Sequence, residues 1–239
     1  MLDQIRVEDI LFLDVETVPQ SPDFLQIDEA MQAFWDKKST QFRKEGQSAA
    51  EVYEKAGIYA EFGKIVCISV GIATLRGGTR WFRVKSFAGH DEKLLLSDFS
   101  KMVTAFASDN TKNLCGHNVK EFDIPYICRR MLVNGIPIPP VLDVAGKKPW
   151  EVRFLDTLDL WKFGDYKHYT SLALLTHIFG IPTPKDDIDG SQVAKVYYEE
   201  GNVNRIATYC EKDVLATAQL LLRFKGEPLI DVANVEHAG

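Results

Sequence analysis

The chain has 239 residues, of which 46% are hydrophobic and 26% charged, with a formal net charge of −6. That is an ordinary globular composition, long enough to bury a substantial core in one large domain or two small ones. No apolar run is long enough to span a bilayer, and the N-terminus lacks the basic flank and apolar stretch of a signal peptide, so a cytoplasmic protein with no membrane partner is expected. The acidic balance argues against a broad nonspecific grip on duplex DNA, which needs an excess of Lys and Arg. It leaves room for clustered acids, because bound divalent cations restore positive potential locally. Cys67, Cys115, Cys128 and Cys210 form no C-x-x-C pair. They read as reduced, buried thiols rather than a zinc site or disulfide framework.

In chain order, residues 8–18 read as a buried strand that ends in "LDVETVP". Residues 21–62 change texture: Ile27, Met31, Phe34 and Trp35 recur at helical spacing, and Ser48 with Glu51 forms a capping box for a second helix. This segment reads as a helical insertion after the first strand. "KIVCISVGIAT" and "TRWFRVKSFAG" are two strands joined through Arg76-Gly77-Gly78, an antiparallel hairpin. "DEKLLLSDFSKMVTAFAS" is an amphipathic helix, "NLCGHN" a short strand, and a helix runs from about Ile124 to a Gly135 cap. "WEVRFLDTLDLW" is a strand leading into a helix start, and residues 170–224 are mostly helical. Antiparallel strands followed by alternating helix and strand predict a mixed sheet flanked by helices. With no repeat and no evident linker, residues 1–239 read as one domain with an insertion at about 21–62.

Three places carry candidate chemistry. Asp14 and Glu16 stand two apart on a strand and therefore share a face. Two carboxylates that close repel unless a cation lies between them. Asp123 opens a helix, where an acid also serves as an ordinary cap. Tyr209 and Asp213, four apart, are neighbours on one helix face. Taken singly, each has an ordinary reading: a strand end with solvated acids, an N-cap, a partly exposed Tyr–Asp pair.

Together, "LDVETVP", "GHNVKEFD" and "YCEKD" resemble, in order, the three motifs of the DEDD superfamily of 3′–5′ exonucleases. The pattern resembles D-x-E, N-x-x-x-F-D and Y-x-x-x-D of the tyrosine (DEDDy) branch. The histidine branch carries His five residues before the last Asp, and Thr208 stands there. The run from "FGIPTPKDDIDGSQVAKVYYEEG" through "IATYCEKDVLATAQLLLRF" is similar to stand-alone predicted exonucleases related to the proofreading domain of family-B DNA polymerases. The resemblance implies an RNase H-like fold and no fused polymerase region. It implies two divalent ions, Mg²⁺ or Mn²⁺, with Asp14 bridging both, Glu16 and Asp213 completing the coordination of the first ion, and Asp123 holding the second ion. Tyr209 would orient the attacking water with Glu16, and Asn118 and Phe122 would lie beside the substrate end. The implied partner is single-stranded nucleic acid, DNA ahead of RNA. A phosphodiester gains charge under attack, which two ions can offset, and hard ions prefer such oxygen ligands. Competing readings are a catalytically silent nucleic-acid binding module and a hydrolase of short oligonucleotides.

Four other features bear on function. "FWDKKSTQFRK" interleaves Phe34, Trp35 and Phe42 with basic residues, a pattern shared by strand-stacking surfaces and amphipathic helices. "KDDIDG" fails as a calcium loop, since Lys185 and Val196 occupy positions that require Asp and Glu, and its acids more simply begin a helix from Ser191. Asp156, in "FLDTLDL" at another strand end, stands where the family that the chain resembles often carries Asp-Thr, and the resemblance implies a neighbour of the site. His117 and His168 read as structural.

Overall fold

The computed structural model describes residues 2–109, 111–165, 169–182 and 187–238. His168, Lys185 and Asp186, named above, lie outside the described residues. Six strands form one mixed sheet in the order β5-β4-β1-β2-β3-β6, where β1 is Ile10–Pro19, β2 Gly63–Arg76, β3 Thr79–Ala88, β4 Asn113–Gly116, β5 Phe154–Asp156 and β6 Val235–Ala238. Strands β1, β2 and β3 run antiparallel, whereas β4 lies parallel to β1, β5 to β4 and β6 to β3. Helices cover both faces, an arrangement consistent with an RNase H-like fold.

The apolar run at the start of β1 is explained by burial on both sides. Ile10 and Phe12 join Val214, Ala218 and Leu221 of α7 (Val203–Phe224). Leu11, Leu13 and Val15 join Leu96, Phe99 and Val103 of α2 (Glu92–Phe106) and Ile124 and Ile127 of α3 (Asp123–Val133). Asp14 and Glu16 continue the face that looks toward α7. That helix presents Ile206, Cys210, Val214 and Ala218 at four-residue steps, all buried. Close approach of α7 to the sheet depends on Gly71 of β2: a Cβ there would stand 2.2 Å from Phe82 Cζ and 2.9 Å from Val214 Cγ1.

Between β1 and β2, α1 (Glu29–Ser39) is followed by a second helical segment over Ala50–Ile58. Ser48 and Glu51 make the reciprocal bonds of a capping box, with Ser48 N–H donating to Glu51 Oε2 at 2.7 Å and Glu51 N–H to Ser48 Oγ at 3.3 Å. The segment nonetheless winds as a 3₁₀ helix. Carbonyls at its two ends accept from outside, Ala49 O from the Trp35 indole at 2.9 Å and Gly57 O from the Tyr126 hydroxyl at 2.8 Å. The aromatic residues of "FWDKKSTQFRK" largely serve this segment. Trp35 is fully buried among Val52, Tyr53 and Phe62, and Phe42 stacks on Tyr59 at 6.0 Å.

One expectation is corrected, the burial of all four cysteines, and one strand lies where no element was expected. Strand β6 was not legible, because four residues carry no reliable alternation; it is secured by Glu236, which takes a bidentate ion pair from Arg76 at 2.6 and 2.8 Å. Among the cysteines, all free, Cys128 is only half-buried.

Candidate metal and nucleic-acid site

A cavity of about 680 Å³ opens where β1, the start of α3 and the middle of α7 meet. All seven residues nominated from the sequence line it: Asp14, Glu16, Asn118, Phe122, Asp123, Tyr209 and Asp213. Asp14 and Glu16 arrive by strand alternation, and a β-bulge immediately after Glu16 shifts the register with β2. Bulges of this kind re-aim side chains next to sites.

Asp123 is the first residue of α3 and is buried. Its carboxylate accepts from its own main-chain N–H and from that of Val15. That bond ties the helix start to β1. The N-cap position itself belongs to Phe122, which makes no side-chain cap bond, so Asp123 is not the cap of α3 and its carboxylate is left to the cavity. Tyr209 and Asp213 project from one face of α7, and the Tyr209 hydroxyl hydrogen-bonds the Asp213 side chain.

The electrostatics are those of crowded, desolvated acids. Burial first, then repulsion from Asp123 and Asp213, pushes the Asp14 carboxyl well above the usual range. Glu16 is raised in the same way, by burial and then by Asp14. Asp123 is pushed up to about 7, by burial and then by Asp156. The Tyr209 hydroxyl is raised by burial and then by Asp213, Glu16 and Asp14, so it is held protonated and is unsuited to act as a base. Among the described residues, no ion pair joins Asp14, Glu16 or Asp123 to a cationic side chain. Buried oxygen donors that repel one another fit a hard divalent cation.

The tightest donor group joins Asp14, Glu16 and Cys210, whose ligand atoms lie within 4.8 Å of one another. Asp123 and Asp213 stand outside that triad while lining the same cavity. Cys210 was expected to be an ordinary core thiol. Its position one residue after Tyr209 and three before Asp213 was the available signal. Its Sγ donates to Asp14 Oδ2 at 3.3 Å and also hydrogen-bonds Cys67. The polar thread continues from Cys67 Sγ to Ser69 Oγ at 3.5 Å, to Ser86 Oγ at 2.8 Å and to Glu211 Oε1 at 2.7 Å. It ends at His237 on β6, whose Nδ1 lies 2.6 Å from Glu211 Oε2.

Asn118 occupies a left-handed turn, φ 65°, and Phe122 packs its ring on Tyr126 at 5.5 Å while bordering the cavity. Asp156 does not line the cavity. Its buried carboxylate accepts from the N–H groups of Asn118 at 2.9 Å, Lys120 at 3.1 Å and Leu158 at 2.9 Å. It therefore clamps the turn that carries Asn118 and leads to Asp123, and its acceptor capacity is spent on main chain. Of the "KDDIDG" acids described, Asp187 pairs with Arg205 and Asp189 caps the 3₁₀ turn Gly190–Gln192, which leads into α6 (Val193–Lys195).

Residues 58–227 match the model of the family described as predicted 3′–5′ exonuclease related to the exonuclease domain of PolB. The matched region holds Asp123, Tyr209 and Asp213; Asp14 and Glu16 precede it.

Proposed function

The chain belongs to the family of predicted 3′–5′ exonucleases related to the exonuclease domain of PolB, and on that premise we propose that it is a DEDDy-type, metal-dependent exonuclease removing nucleotides from the 3′ end of single strands, DNA ahead of RNA. The observation that carries the reading is the convergence of Asp14, Glu16, Asp123 and Asp213, from three separate chain segments, on one cavity with Tyr209. Residues 1–239 act as one exonuclease domain in this reading, with 21–62 as its insertion.

Asp14, Glu16, Asp123 and Asp213 would hold two divalent ions, Mg²⁺ or Mn²⁺, which neutralise the charge that develops on the attacked phosphodiester and activate water for the attack. The protein's own residues set up that chemistry. The four acids that line the cavity would hold the ions. Tyr209, held protonated and tied to Asp213, donates a hydrogen bond that orients the nucleophile. Asn118 and Phe122 bound the space beside the strand end. Asp156 fixes the turn between β4 and α3, so Asn118 and Asp123 keep their spacing.

Incubation with Mn²⁺ and with DNA and RNA strands, single and double, labelled at either end, tests the proposal. Stepwise shortening from the 3′ end, faster on single strands, is the expected result. Binding without cleavage would favour a silent binding module, and cleavage restricted to very short strands would favour an oligonucleotide hydrolase.

A further inference from the structure

His117 lies beside the site, yet it has no nitrogen to spare. Its Nε2 bonds the carbonyl oxygen of Thr170 at 2.9 Å, and its Nδ1 meets Thr157 Oγ1 at 2.9 Å. Burial lowers its pKa and keeps the ring neutral. The carbonyl makes Nε2 the donor, which leaves Nδ1 to accept from the threonine hydroxyl. Such a ring is neither a metal ligand nor a base. What it does contact is Tyr169, edge to face, at 6.2 Å between centroids and 71° between planes.

Tyr169 is 65% exposed and lines the acidic cavity. Other tyrosines near the sheet are packed away: Tyr126 is 2% and Tyr53 4% exposed. Trp150 and Phe163 are more exposed still, but neither borders the cavity. Tyr169 is thus a large, mostly exposed ring in edge contact with a fixed imidazole, lining the cavity that holds the four acids. In the proposed reading the acids are engaged by metal ions, whereas an aromatic face is free to stack on any base.

We propose that Tyr169 is a base-stacking residue, taking a nucleobase at the 3′ end of the strand on its exposed face, with His117 as the brace that holds the ring. This rests on the exonuclease reading and adds to it a sequence-tolerant contact that supplies affinity independent of the metal ions. Stacking depends on ring area, so the contact favours purine over pyrimidine termini.

The test compares wild type, Tyr169→Ala and Tyr169→Phe on a single-stranded oligonucleotide and on the same strand with its last two nucleotides abasic. Hydrolysis is measured with Mn²⁺, and binding by fluorescence anisotropy with Ca²⁺. Tyr169→Ala should raise KM and Kd by roughly 5- to 150-fold, the range one stacked base contributes, with little change in kcat. Tyr169→Phe should behave as wild type, and on the abasic strand all three proteins should match. An unchanged KM in Tyr169→Ala, an equal loss on both strands, or a Phe variant as weak as Ala would overturn the proposal. A wild type that binds strands but cleaves none would refute the exonuclease reading alone, and the anisotropy series would still decide whether Tyr169 stacks.

Discussion

Asp123→Asn should stabilise the metal-free protein at neutral and alkaline pH. Asp123 is 3% exposed, and its carboxyl is raised from 3.8 to about 7, first by burial and then by Asp156. An unfolded Asp titrates near ~3.9. Between those values the native state holds a proton that the unfolded chain has released, so stability falls as pH rises through the window and the full cost is present above about 7. At about 1.36 kcal/mol per pH unit, the gap amounts to about 4 kcal/mol. Asn keeps the shape and an acceptor for the Val15 N–H but cannot ionise. For a chain of this length, about 4 kcal/mol corresponds to roughly 10 °C in Tm. Thermal denaturation in EDTA should therefore place the variant roughly 10 °C above wild type at pH 8 and level with it at pH 4. Mn²⁺ at pH 8 should narrow or reverse the difference, because wild type binds the ions more tightly. A variant no more stable than wild type at pH 8 in EDTA, or a difference unchanged between pH 4 and 8, would refute the reasoning.

Asp14→Ala should abolish nuclease activity while leaving the Tm in EDTA unchanged or higher, through relief of repulsion with Asp123 and Asp213; turnover at the wild-type rate would count against the mechanism. Tyr209→Phe should slow single-turnover cleavage by ~100-fold with Mn²⁺ affinity by calorimetry unchanged, since only the orienting hydroxyl is lost. Cys210→Ala removes the thiol donor to Asp14 Oδ2 and should raise the Mn²⁺ concentration for half-maximal rate roughly tenfold. Cys210→Ser keeps a donor and should not; equal effects would exclude a positioning role. Gly71→Ala forces the Phe82 ring and Val214 aside and should cost about 1–3 kcal/mol in urea denaturation, with a slower reaction because Val214 adjoins Asp213.

Much of the fold was legible because its strongest elements carry long periodic patterns. The 22 residues of α7 repeat their apolar positions through several turns, and the hairpin of β2 and β3 announces itself by two apolar runs around Arg76-Gly77-Gly78. What was lost had too little length or depended on distant partners. Strand β6 has four residues and exists by pairing with β3 across some 150 positions of chain. The segment at Ala50–Ile58 carried the correct capping signal, but a cap reports where a helix begins, and the backbone then follows 3₁₀ geometry between carbonyls engaged by Trp35 and Tyr126.

The site divides along the same line. Asp14 with Glu16, and Tyr209 with Asp213, are pairs set by local periodicity, two residues on a strand and four on a helix, so each pair's common direction follows from sequence alone. That the two pairs meet does not follow from local pattern; it required the resemblance of three ordered motifs, and here it comes from α7 lying against β1 over Gly71. The residues that support the site were less legible for the same reason. Cys210 bonds Asp14 from 196 positions away, and Asp156 holds the Asn118 turn from 38. Each is an ordinary residue in its own element, a buried thiol and a helix cap, and becomes part of the site only through a tertiary contact. Such residues act on the acids without touching substrate. Their substitution should therefore change metal dependence more than affinity for the strand, whereas loss of Tyr169, whose proposed contact is to a base, should do the reverse.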